Sequence, residues 1–161
     1  SVKSIRASKD YKEKHMSYHN ILVPVDGSET AYAAVAKAAE FAKAFGSKVT
    51  VVQVLSLDPY IAAEYISANQ TNDLIERART AIIESLDAAK AKFHEQGIEV
   101  ETKLLEGQVV HREIVKAAEE NHADLIIIGS HGRTGFKKLF LGSVAQSLLG
   151  ESHIPVLIVR E

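Results

Sequence analysis

The chain has 161 residues, 46% of them hydrophobic and 25% charged, with a formal charge of −2 and no cysteine. That length suits one domain with a sizeable core, and the missing thiols exclude disulfides, thiolate catalysis and cysteine–metal sites. No apolar run reaches the ~18 residues of a membrane span; residues 1–15 carry a net +3 against −5 for the remainder, an acidic body that argues against broad nucleic-acid binding.

Residues 1–17 show little periodicity and are read as a flexible leader ahead of a domain at 18–161. Met16 is the only methionine and stands just before the first apolar run, so residues 1–15 are expected to lie upstream of the folded unit. A basic arm that contacts a partner is the rival reading. The charged start has no apolar h-region behind it, which makes a cytoplasmic location the default expectation.

Residues 20–25 form the first predicted strand, with Pro24 near its end, where pairing stops. Asp26-Gly27-Ser28 is a turn pattern, and Ser28 is placed to cap the next helix. Val35, Ala38, Ala42 and Phe45 give that helix one apolar face, and Gly46 is its expected stop. The β-branched run at 48–55 is the second strand. Residues 56–70 read equally as a lid or as a helical extension; Pro59 breaks their regularity. Thr71-Asn72-Asp73 is expected to cap a long helix with the stripe Ile75, Ile82, Leu86, Ala89 and Phe93, ended by Gly97. A third strand at 98–105 and a third helix bearing Val110, Ile114 and Ala117 follow. The fourth strand spans 123–128, the last helix 143–149 and the last strand 155–159.

Alternation of five strands with four helices specifies a parallel sheet, right-handed crossovers and helices on both faces. In such a doubly wound α/β sheet, ligands sit beyond the carboxyl ends of the strands, where strand order reverses. An order of 3-2-1-4-5 would bring the loops after the first and fourth strands into one crevice.

The fourth loop holds Gly129, Gly132 and Gly135, then Gly142-Ser143 at a helix start, with Arg133, Lys137 and Lys138 between. Glycines let an anion approach the backbone, and the first N–H groups of a helix lack intrahelical partners and carry the positive end of its dipole. A phosphate-binding loop is therefore expected, although single glycines more often only make turns. Neither G-x-x-x-x-G-K-[ST] nor G-x-G-x-x-G fits these spacings.

Gly129-x2-Gly132-x9-Gly142-Ser143 resembles the ATP-binding signature of the universal stress protein family, G-2x-G-9x-G-[S/T]. The wording GSHGRTG and GSVA, the opening ILVPVDGSE and the closing IPVLIVR are similar to that family as well. The resemblance implies a Rossmann-like fold of the order given above, binding ATP in the crevice, with Mg²⁺ held mainly through the phosphates. It further implies that Asp26 lies near the ribose or the metal-bound phosphates and that Pro24 shapes the first-strand end. Val54 matches the position whose backbone reads the adenine edge. Gly129, Gly132, Gly142, Ser143 and Val144 match the ribose and phosphate contacts, with Ile128 packed beside them and Arg133 as a further phosphate candidate. Ala145 stands where some nucleotide-binding members carry a hydroxyl, so one polar contact is expected to be missing. A homodimer pairing through the last strand, Pro155 to Val159, is implied too, and an apolar edge strand needs such cover.

ATP hydrolysis needs a positioned water and a group that orients it, and no second carboxylate or glutamine is marked out for that work. His131 as a base is less plausible than a solvated loop imidazole. The expected function is an ATP-dependent regulatory switch in a stress response, with at most slow hydrolysis. The alternatives are an enzyme of the adenine-nucleotide α-hydrolase-like group, whose SGGxDS-type loop Asp26-Gly27-Ser28-Glu29 departs from, and a nucleotide-free dimeric assembly protein.

Overall fold

The computed structural model describes residues 18–56, 67–131 and 141–160. Strands β1 (Asn20–Pro24), β2 (Lys48–Leu55), β3 (Glu101–Glu106), β4 (Leu125–Gly129) and β5 (Val156–Val159) form one sheet. Its order is β3-β2-β1-β4-β5 and every neighbouring pair is parallel, as expected from the alternation. Helices α1 (Glu29–Phe45), α2 (Ala68–Glu95), α3 (Val110–Glu120) and α4 (Ser143–Glu151) lie between successive strands.

The central strands are buried on both faces, which is why they read as unbroken apolar runs. Ile21 and Val23 of β1 and Leu125 and Ile127 of β4 face α1 and α2; Leu22, Ile126 and Ile128 face α3 and α4. Ala34 and Ala38 of α1 are fully buried, and their small side chains let the helix backbone come close to the sheet. Phe93 of α2 fills the space at the amino end of the same face, with no exposure.

Three local expectations are corrected. Ser28 takes the N-cap position of α1 but makes no side-chain capping bond, because its hydroxyl is turned to Asp26. Helix α2 starts at Ala68, not after Thr71–Asp73. Ser67 accepts from the Gln70 N–H and Gln70 Oε1 accepts from the Ser67 N–H, a capping box that satisfies two end groups at once. Phe45, expected on the buried stripe, is 39% exposed and packs edge-on to Tyr18 with ring centres 5.4 Å apart. The question of a lid over 56–70 falls largely outside the described residues. At the other end of α1 the expectation holds: Gly46 adopts φ 66° and donates to the Ala42 carbonyl.

Candidate functional site

Strands β1 and β4 are neighbours, yet β2 lies to one side of β1 and β5 to the far side of β4. Their connections diverge, so the carboxyl ends of β1 and β4 stay uncovered and border a cleft of about 580 Å³ including its open mouth. Pro24 and Asp26 line it from the end of β1, and Ile128 and Gly129 from the end of β4. Gly142, Ser143 and Val144 line it from the start of α4. Gly132 and Arg133 lie outside the described residues.

Helix α4 presents its amino end to this cleft. Gly142 is the N-cap, so Ser143 is the first helical residue and not the cap that a lone serine at a helix start suggests. The first i→i−4 bond is made by the Gln146 N–H to the Gly142 carbonyl, 3.0 Å. The N–H groups of Ser143, Val144 and Ala145 therefore precede the intrahelical ladder, the arrangement that favours an anion. The Gly142 N–H donates to the Ser130 carbonyl at 2.7 Å, which ties the helix start to the end of β4.

Asp26 is held by its own turn. Its Oδ1 accepts from the Ser28 N–H at 2.9 Å and from the Ser28 hydroxyl, an Asx turn around Gly27, whose φ is 81°. Thr30 Oγ1 lies 2.9 Å from Ser28 Oγ and donates to the His131 carbonyl at 2.6 Å. This chain of contacts ties the loop after β1 to the loop after β4. Gly129 is needed for a separate reason: a Cβ there would lie 2.8 Å from the Thr30 carbonyl oxygen.

Val54 is not among the cleft's lining residues. It stands one residue before the end of β2, half-buried on the face shared with Ile128. Its peptide groups are more telling than its side chain. The Val52 carbonyl accepts from the Val25 N–H at 2.8 Å, where β1 ends, while the Leu55 carbonyl accepts from Gly107 beyond β3 at 3.2 Å. Alternation along a strand then points the N–H and C=O of Val54 to the β1 side, into the space past the end of β1.

Seven further lining residues are not site candidates in the sequence, Val110, Ile114, Ser130 and His131 among them. Val110 and Ile114 of α3 form an apolar wall, and Ser130 and His131 continue the end of β4. In the sequence this wall reads only as a helix face, and nothing local shows that it borders the cleft rather than the core alone.

Comparison with known proteins agrees with this architecture. The universal stress protein family model matches residues 17–160. Universal stress protein MJ0531 of Methanocaldococcus jannaschii is 35% identical over 145 residues, covering 89% of this chain and 83% of its own length. The solved structure of protein MJ0577, from the same organism, superposes with a TM-score of 0.73 at 33% identity, covering 91% of this chain and 98% of that one. The universal stress protein from Archaeoglobus fulgidus, solved in complex with dAMP, superposes with a TM-score of 0.62 at 27% identity, covering 89% and 99%. The chain belongs to the universal stress protein family.

Proposed function

We propose that this protein binds an adenine nucleotide, ATP in the first place, in the cleft between the ends of β1 and β4, and works as a nucleotide-dependent regulatory module in a stress response. The observation that carries the reading is convergence. Asp26 is far in sequence from Gly129 and from the start of α4, yet all three line one cleft at the switch point. The dAMP complex of the Archaeoglobus fulgidus relative supports the ligand class.

In this reading the N–H groups at the start of α4 and Gly142 hold the phosphates, with Gly132 and Arg133 contributing from the same loop. Pro24 and Ile128 pack against the nucleoside, and the Val54 peptide groups meet the adenine edge. Asp26 accepts from the ribose or faces the metal-bound phosphates. Among the described residues no group of three His, Asp or Glu side chains forms a metal site. Among the described residues Asp26 is the one carboxylate lining the cleft, so in this reading a bound Mg²⁺ is held mainly by the phosphates. Hydrolysis, where it occurs, is slow. Strand β5 closes one edge of the sheet with Val156, Leu157 and Ile158 half-buried, and a second copy pairing along it covers that edge.

The test is to denature the purified protein and identify released nucleotide by mass spectrometry, beside the variant Gly132→Val. ATP released from the wild type and none from the variant is the expected result. No release, followed by no binding of ATP with Mg²⁺ at millimolar concentration, refutes the reading.

A further inference from the structure

We infer that the His131 imidazole contacts the nucleotide's sugar-proximal phosphate through Nδ1, and that Thr30 is the residue that positions it. The inference rests on the nucleotide reading above and adds a phosphate contact to it.

His131 lines the cleft, and its Nδ1 is buried with no hydrogen-bond partner. A solvated loop imidazole would have water at that atom. A buried polar atom without a partner is costly and rare, and inside a binding cleft it marks a place where a ligand supplies the partner.

The backbone under the ring is fixed on three sides. The Thr30 hydroxyl donates to the His131 carbonyl at 2.6 Å. One residue earlier, the Ser130 N–H donates to the Val159 carbonyl at 2.9 Å, and the Ser130 carbonyl accepts from the Gly142 N–H at 2.7 Å. His131 therefore stands at a set point between the end of β4 and the first turn of α4. The unpaired N–H groups of that turn favour an anion in the same cleft. An imidazole N–H beside them adds a donor for a phosphate oxygen.

Titration calorimetry with AMP and with adenosine tests this on the wild type, H131A, H131N, T30V and T30S. Asparagine places its amide close to the position of Nδ1, and serine keeps the hydroxyl that valine removes. The expected result is a Kd for AMP raised roughly tenfold in H131A and T30V, and within about threefold of wild type in H131N and T30S. The adenosine Kd stays unchanged in all four. The Nδ1 resonance of His131 in the wild type shifts on addition of AMP and not of adenosine, a readout that holds even where a variant fails to fold.

H131A binding AMP as tightly as wild type, with a still Nδ1 resonance, overturns the inference. So does an equal loss of adenosine and AMP affinity in H131A, which would place the contact on the nucleoside. Wild-type protein that binds neither compound refutes the nucleotide reading itself, a result distinct from both.

Discussion

The carbonyl oxygen of Thr30 lies where a side chain on Gly129 would have to go, 2.8 Å from the position of the missing Cβ. The amino end of α1 thus rests directly on the carboxyl end of β4, and the glycine is required by packing before any ligand is considered. Gly129→Ala is expected to cost about 1–3 kcal/mol through this overlap. Chemical denaturation measures it. An unchanged midpoint would show that Thr30 can move aside freely.

Asp26 combines a structural and a proposed ligand role, and two substitutions separate them. Asparagine keeps an oxygen to accept the Ser28 N–H, so D26N is expected to hold Tm within about 2 °C. The lost charge and the donor it introduces are expected to weaken nucleotide binding roughly tenfold. D26A loses the turn as well, at a cost of about 1 kcal/mol. Equal binding by D26N and wild type would remove Asp26 from the site.

Ser67 provides a control because it is not among the residues that line the cleft. Its capping box with Gln70 is solvent-exposed, and Ser67→Ala is expected to cost about 1 kcal/mol. Calorimetric nucleotide affinity should not change. A shift in affinity would tie the start of α2 to the ligand.

Val54 is proposed to act through its backbone, so its side chain should be replaceable. Val54→Ala is expected to retain a preference for adenine over guanine nucleotides while losing about 1 kcal/mol of stability. Loss of that preference in competition binding would put recognition on the side chain.

Most of the sheet was legible in the sequence because its signals are local. Doubly buried strands leave apolar runs such as 125–128, and the glycine–serine pair at 142–143 marks a helix start. The order of strands is not local: it entered as the condition under which two loops would meet, and the family resemblance implied it. What escaped reading depends on contacts across the chain. The Thr30–His131 bond spans 101 residues, and no local pattern announces that a threonine in the first turn of α1 secures the loop after β4. The Gln70 partner of Ser67 was available locally but was masked by the stronger-looking Thr71-Asn72-Asp73 cluster. Phe45 fits the helical period yet falls beyond the sheet, since periodicity gives the direction of a side chain and not how far the opposing layer extends. Of the proposed site, the loops were readable, while the apolar wall of Val110 and Ile114 required the fold.

The central claim is that a nucleotide occupies the cleft between β1 and β4. An amide chemical-shift map during titration with AMP tests it most directly. Occupancy there predicts the largest shifts at Asp26, Gly129, Gly142, Ser143 and Val144, with Val54 responding at its N–H. Shifts concentrated instead at the opposite end of the sheet, around Lys48, Thr50 and Asn121, or none at millimolar AMP, would contradict it.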